Sequence, residues 1–206
     1  MSAAARFEFR IFGQGLGLWH QRMARLSQPV PEKFWRRQSS ETYLLSRHDQ
    51  QHNIKLRSGM LDIKVLLGRQ QGLEQWDVAA KIAMPSESDV LLQPLLPAIG
   101  LATLALPNTV DESTLLSAIN THPDLLAVRI TKIRKGYLID GAICEYAEVL
   151  LNDARVDSLA IEADHPDTVL ETIRRLGLPA ADNISYPEAI RRVIGWSTAH
   201  LVHGEE

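Results

Sequence analysis

The segment that decides the fold is R-F-E-F-R-I-F, residues 6–12, in which charged and apolar side chains alternate. Successive side chains of a β-strand point to opposite faces, so the pattern predicts a strand with Arg6, Glu8 and Arg10 on one face. Aromatic and aliphatic side chains occupy its other face. The same alternation recurs in I-K-L-R, residues 54–57, and in L-D-I-K-V, residues 61–65. Several strands are therefore expected to be charged on one side and apolar on the other.

Apolar periodicity and the turn residues extend this interpretation along the chain. Further strands are predicted at residues 41–46, 53–57, 61–67, 76–82, 125–134, 137–140, 143–152 and 157–164. Helices are predicted at residues 16–26, 86–99, 111–120, 166–176 and 187–195, and a structured loop at residues 29–40. Because strands and helices do not alternate regularly, the fold class is predicted to be α+β with an antiparallel sheet.

Two arrangements of that sheet agree with the alternation. An open sheet would expose its charged face to water, and this is a common arrangement. A closed sheet of eight strands would enclose the charged side chains and leave room for one small ligand. Interior Lys and Arg with some Glu would then suit a polyanion and a divalent metal, since hard cations take carboxylate and phosphate oxygens. The pattern alone leaves both arrangements open.

Composition limits the function classes. The chain has 206 residues and a mass of 23.0 kDa, which predicts a single domain over residues 1–206. Its net charge of −3 argues against a nucleic-acid partner. The single cysteine, Cys144, excludes an internal disulfide, and we expect it to be a small core residue. Neither a signal pattern nor an apolar run of membrane-spanning length is present, so a cytoplasmic protein without a membrane partner is expected.

Several motifs follow one another in an order typical of one family. After the first strand come I-K-L-R and L-D-I-K-V, then R-I-T-K-I-R-K-G-Y at residues 129–137. Two acidic strands follow, Y-A-E-V-L-L-N-D at 146–153 and S-L-A-I-E-A-D at 158–164, and then a helix and S-Y-P-E-A-I. Taken together, residues 6–195 resemble a divergent member of the CYTH superfamily, the triphosphate tunnel metalloenzymes. That family includes class IV adenylate cyclases, thiamine triphosphatases and inorganic triphosphatases.

The resemblance implies a fold, a ligand and a metal. The implied fold is a single triphosphate tunnel domain: an eight-stranded antiparallel β-barrel or tunnel with helices packed outside. Carried over position by position, the residues implied to bind phosphate are Arg10, Lys55, Arg57, Lys64, Lys132 and Arg134. The residues implied to hold the divalent metal, Mg²⁺ or Mn²⁺, are Glu8, Glu148 and Glu162. The implied partner is a small-molecule triphosphate or polyphosphate anion.

The activity implied by the resemblance is metal-dependent hydrolysis of a triphosphate-containing substrate, which could be inorganic triphosphate, thiamine triphosphate or a nucleotide. Two departures from the family pattern support an alternative. Arg6 and Ala160 stand where the family carries glutamates, which weakens a two-metal arrangement and places an extra cation there. The alternative is therefore a catalytically weakened polyphosphate- or nucleotide-binding protein with the same tunnel. A class IV adenylate cyclase-like activity also stays open, because cyclisation and hydrolysis share the same phosphate grip. A structural sheet protein with a solvated polar face is the third hypothesis.

Overall fold

The computed structural model describes residues 5–203, apart from the side chains of Lys33 and His203. Six helices lie in this part of the chain: α1 (Gly17–Leu26), α2 (Glu32–Trp35), α3 (Ser88–Ile99), α4 (Glu112–Thr121), α5 (Pro166–Leu176) and α6 (Tyr186–Val193). Each of them is too short or too polar to span a bilayer.

Eight long strands alternate with these helices irregularly, as expected for the α+β class. They are β1 (Phe7–Gln14), β2 (Arg36–Ser46), β3 (His52–Arg57), β4 (Met60–Gln70), β5 (Leu73–Ala83), β8 (Leu125–Ile139), β9 (Ala142–Leu151) and β10 (Ala154–Ala163). Three two-residue strands complete the set: β6 (Ser86–Glu87), β7 (Thr109–Val110) and β11 (Val202–His203).

The long strands pair in the order β10-β9-β8-β2-β3-β4-β5-β1, and β1 also pairs with β10, so the order of pairing closes into a ring. The pairs β1–β10, β1–β5, β9–β10, β2–β3 and β3–β4 are all antiparallel. This confirms the predicted fold class, and the closed order excludes the open sheet. The break predicted between the strands at 125–134 and 137–140 is wrong: residues 125–139 form the single strand β8, because Gly136 continues the extended backbone. The loop predicted at 29–40 is also wrong in part, since it contains α2 and the start of β2.

The packing divides the described chain into two compact units. The first unit comprises the described parts of Met1–Ser39, Leu67–Trp76 and Thr131–Glu206, and the second comprises Ser40–Leu66 and Asp77–Ile130. The single domain predicted for residues 1–206 stays a prediction.

The first unit has its own apolar core under helices α1 and α5. Trp19 and Met23 of α1 and Val169 of α5 pack against one face of the strands, including Ile11 and Ile161. The helix α5 begins with a proline and ends before Gly177, whose φ of 61° allows the left-handed cap. Removing this apolar surface from water is the main stabilising contribution here. The helices thus fix which strand face remains for polar side chains.

The second unit also has its own apolar core, which lies under helices α3 and α4. Leu91 and Leu95 of α3 and Leu115 of α4 pack against Ile54 and Ile63 on one face of β3 and β4. Asp111 caps the start of α4, since its Oδ1 accepts a hydrogen bond of 2.7 Å from the backbone N–H of Thr114. In this unit too, the charged side chains are left on the strand face that the helices do not cover.

Candidate functional site

The strand register in the first unit places charged side chains in rows. Arg10 of β1 lies opposite Ala160 of β10, and Ala160 lies opposite Glu145 of β9. Because the alanine side chain is short, the guanidinium group of Arg10 extends across β10 and lies 3.6 Å from Glu145 Oε1. In the next row Glu8 of β1 lies opposite Glu162 of β10. Ala160, noted above as a departure from the family pattern, therefore gives Arg10 access to a third strand.

Arg10 is buried and uses all three guanidinium nitrogens. Its Nε donates to Glu8 Oε1 at 2.6 Å, its Nη1 donates to Ser158 Oγ at 3.1 Å, and its Nη2 lies 3.9 Å from Glu162 Oε1. Burial disfavours the charged guanidinium, but Glu8 and the neighbouring acidic groups outweigh this, so the pKa of Arg10 is well above its usual value. Arg10 is thus a permanent cation at the centre of three glutamates.

Helix α6 supports this cation from the other side. Ser185 caps the helix and positions Tyr186, whose ring centroid lies 4.9 Å from the guanidinium carbon of Arg10. The Nζ atom of Lys132, which is also buried, lies 3.7 Å from the same centroid. An aromatic face attracts cations, so Tyr186 holds two predicted phosphate ligands together. The Ser-Tyr pair of the S-Y-P-E-A-I segment therefore starts helix α6 and places an aromatic ring beside both cations.

Glu145 also binds two further arginines. Its Oε2 atom lies 3.5 Å from Arg37 Nη2 and 3.8 Å from Arg134 Nη1. The Nε–H groups of Arg37 and Arg134 are buried, and neither donates a hydrogen bond within the described chain. One carboxylate thus serves three guanidinium groups, counting Arg10. We define the Arg10 cluster as these four residues together with Glu8, Lys132 and Glu162.

Sequence reasoning missed Arg37 and Glu145. Arg37 fell in the segment interpreted as a loop, whereas β2 already begins at Arg36. The signal for Glu145 was strand parity: β9 and β10 pair without a bulge, so Glu145 and Glu148 face opposite sides. Glu148 lies opposite Asp157 and accepts a hydrogen bond of 3.3 Å from Arg155. The structure therefore brings Glu8 and Glu162 together but does not bring Glu148 to them.

Arg6 lies on the same face of the strand as Glu8 and Arg10, but near the surface. Its Nε donates a 3.3 Å hydrogen bond to Asp164 Oδ1, and both side chains are exposed. An exposed pair of this kind contributes little to stability. Its consequence is electrostatic, because it adds a cation close to Glu162.

The remaining predicted phosphate ligands, Lys55, Arg57 and Lys64, lie in the second unit, where Lys64 lies opposite Asn53 on the paired strand. Lys55 and Arg57 approach Glu41, whose side chain is fully buried. Lys55 Nζ lies 3.6 Å from Glu41 Oε2, and Arg57 Nη1 lies 3.5 Å from Glu41 Oε1. Arg57 Nη2 also lies 3.3 Å from Asp62 Oδ2. Burial lowers the pKa of Lys55, and the positive charges of Arg57 and Lys64 lower it further, against Glu41. We call Glu41, Lys55, Arg57 and Asp62 the Glu41 cluster.

The glutamates of the Arg10 cluster can be tested against the implied metal. A divalent cation needs several oxygen ligands directed at one point. Within residues 5–203 no group of three or more Asp, Glu, His or Cys side chains is placed to hold a metal ion. The glutamates meet instead at the Arg10 guanidinium, which itself supplies the positive charge between them. As arranged, these residues do not fit a resident Mg²⁺ or Mn²⁺ ion.

The charges of the Arg10 cluster favour anion binding. Four cations, Arg10, Arg37, Lys132 and Arg134, face three carboxylates, Glu8, Glu145 and Glu162. Arginine forks bind phosphate oxygens in pairs, and partial burial strengthens the attraction by reducing solvent screening. The arrangement can therefore hold a phosphate-bearing anion by charge-assisted hydrogen bonds.

Comparison with known proteins gives matches only among solved structures: no family model matches the chain, and no curated protein does. A conserved hypothetical protein of Pyrococcus furiosus is 14% identical, with a TM-score of 0.47 over 90% of this chain and 99% of that one. HpAC1 of Hippeastrum, an adenylyl cyclase candidate with a dominant triphosphatase activity, is 10% identical, with a TM-score of 0.48 over 91% of this chain and 96% of that one.

A third similar structure is that of bh2851 of Bacillus halodurans, an adenylate cyclase candidate. It is 10% identical to this chain, with a TM-score of 0.50 over 92% of this chain and 98% of that one. At so low an identity the likeness concerns the fold. The chain therefore shares its fold with the Bacillus halodurans protein.

Proposed function

We propose that this protein binds a triphosphate-containing small molecule through the Arg10 cluster. The observation that carries the proposal is the sharing of Glu145 by Arg10, Arg37 and Arg134. One carboxylate cannot satisfy three guanidinium groups, so an anion with several oxygens can take the donors of Arg37 and Arg134. This is the binding function that the resemblance to the CYTH superfamily implies for Arg10, Lys132 and Arg134.

A triphosphate fits this cluster better than a single phosphate. Its negative charges are spread along a chain, and the cluster spreads its cations over strands β1, β2 and β8. The shared fold agrees with the proposal, since bh2851 is an adenylate cyclase candidate and the adenylate cyclase reaction uses a nucleoside triphosphate. Binding through guanidinium groups alone needs no metal, because Arg10 already supplies the cation between the glutamates.

Hydrolysis of a phosphoanhydride bond with Mg²⁺ or Mn²⁺ is the second candidate function. One observation favours it: Glu8 and Glu162 lie opposite each other on neighbouring strands, beside the Arg10 guanidinium. The Glu148 side chain, which the resemblance also implies as a ligand, lies on the other face. The second candidate therefore requires Glu8 and Glu162 to leave Arg10.

Calorimetric titration of tripolyphosphate into the protein in the presence of EDTA tests the first proposal. We expect a saturable isotherm, and we expect Arg37→Gln and Arg134→Gln each to weaken binding about tenfold, the worth of one charge-assisted hydrogen bond. Arg155→Gln is the matched control, because Arg155 is exposed and pairs with Glu148 on the opposite face. Absence of heat at two temperatures, or equal loss in the control, would contradict the proposal.

Replacing EDTA by Mg²⁺ or Mn²⁺ in the same cell separates the two candidates. Heat that continues after each injection shows turnover and establishes the second candidate. In that case Glu8→Gln and Glu162→Gln should stop turnover, while Glu148→Gln tests whether the third implied ligand takes part. An unchanged one-step isotherm leaves binding as the function.

A further inference from the structure

A row of three glutamates in the first unit is already paired with arginines of the protein. Glu74 of β5 lies opposite Glu8 of β1, which in turn lies opposite Glu162 of β10. Glu8 and Glu162 pair with Arg10. Glu74 instead accepts a hydrogen bond of 2.8 Å from Arg69 Nη2. Each carboxylate of the row therefore has a cationic partner within the chain.

Arg10 is held in this row by both its backbone and its side chain. Its N–H group donates to Asn183 Oδ1 at 2.8 Å, and its carbonyl oxygen accepts from the N–H group of Ile184 at 2.9 Å. Its Nη1 donates to Ser158 Oγ at 3.1 Å, and the centroid of the Tyr186 ring lies 4.9 Å from its guanidinium carbon. Moving the guanidinium away would leave its carboxylate partners uncompensated. The structure thus keeps Arg10 between the glutamates without a ligand.

The guanidinium group gives the carboxylates the positive charge that a divalent cation would give them. Its nitrogens point in fixed directions, toward Glu8, Glu145 and Glu162. Unlike a metal ion, it is part of the chain and does not dissociate. A second cation at the same point would be repelled by it, and most strongly where burial reduces solvent screening. Arg10 therefore competes directly with any divalent cation for these glutamates.

This competition bears on the form of the ligand. A triphosphate exists in solution both as the free anion and as its Mg²⁺ complex. The complex is less negative, and its metal keeps several waters, which cover phosphate oxygens. The Nε–H groups of Arg37 and Arg134 are buried and donate no hydrogen bond within the described chain, so they need uncovered oxygens. The free anion offers more of these oxygens and brings no cation toward Arg10.

We propose that Arg10 permanently takes the place of a divalent cation, so that the Arg10 cluster selects the metal-free form of its phosphate-bearing ligand over the Mg²⁺ complex. This inference rests on the proposed function and narrows its ligand to the uncomplexed anion. Ala160 is part of the device, because its short side chain lets the guanidinium reach Glu145 on the third strand. A glutamate at this position, as the family carries, would lie directly opposite Arg10.

Titration calorimetry of tripolyphosphate at increasing Mg²⁺ and constant ionic strength tests the selection. We expect the apparent affinity to fall about tenfold when Mg²⁺ complexes about nine tenths of the tripolyphosphate, because only the free fraction binds. A site that uses the metal would show the opposite change. A fall of less than about twofold, a rise in affinity, or heat that continues after each injection would overturn the inference.

A variant of Arg10 shows whether this residue causes the selection. In Arg10→Met the glutamates lack their common cation, so Mg²⁺ should strengthen tripolyphosphate binding instead of weakening it. The matched control is Arg134→Gln, which also loses a cation of the cluster but keeps Arg10. Its affinity in EDTA should be lower than that of wild type, and Mg²⁺ should lower it further. If Mg²⁺ weakens binding equally in Arg10→Met and wild type, Arg10 does not replace a metal.

Electron paramagnetic resonance of Mn²⁺ without phosphate tests the same point and needs no change at Arg10. We expect the glutamates to bind no Mn²⁺ at about 1 mM metal, the weak end of the range for carboxylate sites. Glu8→Gln and Glu162→Gln should therefore leave the amount of bound Mn²⁺ unchanged from wild type. Loss of bound Mn²⁺ in either variant would place a metal between these residues and overturn the inference.

The outcomes separate this inference from the proposed function. If tripolyphosphate fails to bind wild type in EDTA, the proposed function fails, and the Mn²⁺ measurement still decides whether Arg10 excludes a metal. If tripolyphosphate binds in EDTA and binds more tightly with Mg²⁺, the phosphate site stands and the selection of the metal-free anion is wrong.

Discussion

The Arg10 cluster of the first unit and the Glu41 cluster of the second are built from the same residue types on alternating strands, but the charge at their centres is opposite. Arg10 is a buried cation with carboxylates around it. Glu41 is a buried carboxylate that binds Lys55 and Arg57, with the Tyr43 hydroxyl 3.2 Å from its Oε2. The central residue decides which partners are held and which remain available.

In the Arg10 cluster the three carboxylates pair with the central Arg10. Arg37 and Arg134 both approach the second oxygen of Glu145, so they share one acceptor. In the Glu41 cluster the cations are held, because a fully buried carboxylate needs them to offset its desolvation. The comparison teaches that an alternating charged strand does not by itself make a phosphate site. The two clusters differ in how many cationic N–H groups remain for a ligand, rather than in how many cations they contain.

The largest expected effect is on stability when a central residue is replaced. Arg10→Met should lower the free energy of unfolding by about 3–5 kcal/mol, because three glutamates lose their common cation. Glu41→Gln should cost about 1–3 kcal/mol, because the amide keeps the shape and can still accept hydrogen bonds. Urea denaturation measures both changes. A larger loss for Glu41→Gln than for Arg10→Met would reverse our ranking of the two centres.

The next largest effect is on the affinity for tripolyphosphate. Whether the affinity rises or falls shows which role Glu145 has. Glu145→Gln removes the charge that competes with a ligand for Arg37 and Arg134, so tripolyphosphate should bind about three- to tenfold more tightly in EDTA. Titration calorimetry measures this change. Glu148→Gln is the control, since Glu148 lies on the opposite face and should leave the affinity unchanged. Weaker binding in Glu145→Gln would mean that the carboxylate organises the arginines rather than competing for them.

A smaller effect tests whether the Glu41 cluster also binds anions, as predicted for Lys55, Arg57 and Lys64. Burial and neighbouring cations lower the pKa of Lys55, so a phosphate that binds there should raise it toward the ordinary lysine value. NMR titration of the lysine Cε signals with and without tripolyphosphate measures the change. We expect little change, because Glu41 already holds Lys55 and Arg57. A clear rise would make the second cluster a phosphate site as well.

The smallest expected effect is on the rate at which Cys144 is alkylated. Because Cys144 is buried in the first unit, this rate measures local unfolding of that unit. Burial, with smaller contributions from Glu162 and Asp140, raises the pKa of the thiol to about 12. At pH 8 both folded and unfolded thiol are mainly protonated, but the buried sulfur of the folded chain is also inaccessible, so iodoacetamide should react very slowly. Arg10→Met should accelerate the reaction and Glu41→Gln should not. Equal acceleration would show that the two units open together.

Much of the fold was accessible from local patterns. Alternation predicted the strands, and apolar periodicity with turn residues predicted the helices, because these signals act within a few residues. Asp111 and Gly177 lie at the ends of α4 and α5. The extent of β8 was not accessible, since glycine normally weakens a strand, whereas at Gly136 the lack of a side chain allows the Phe34 backbone to approach closely. Local propensity cannot anticipate a contact made so far along the chain.

The candidate site was predictable only in part, for a related reason. Parity could have separated Glu145 from Glu148, because it depends on one strand. The crossing of β10 by Arg10 depends on the register of three strands and on the short side chain of Ala160. Arg37 was assigned to a loop because two prolines precede it, and prolines favour loops. In the structure, β2 begins directly after helix α2 and contains Arg37. The charges could be listed from the sequence, but their pairing required long-range structure.

The hydrogen bonds of Asn183 make the protein sensitive to deamidation at this residue. The Asn183 side chain accepts from the Arg10 N–H at 2.8 Å and donates to the carbonyls of Glu8 at 2.7 Å and Gly72 at 3.0 Å. Only an amide offers an acceptor and two donors from one short side chain. Deamidation of Asn183 to aspartate would replace both donations by repulsion between oxygens and would add a negative charge beside Glu8. A single spontaneous chemical change would thus loosen strand β1 at the residue on which the Arg10 cluster is centred.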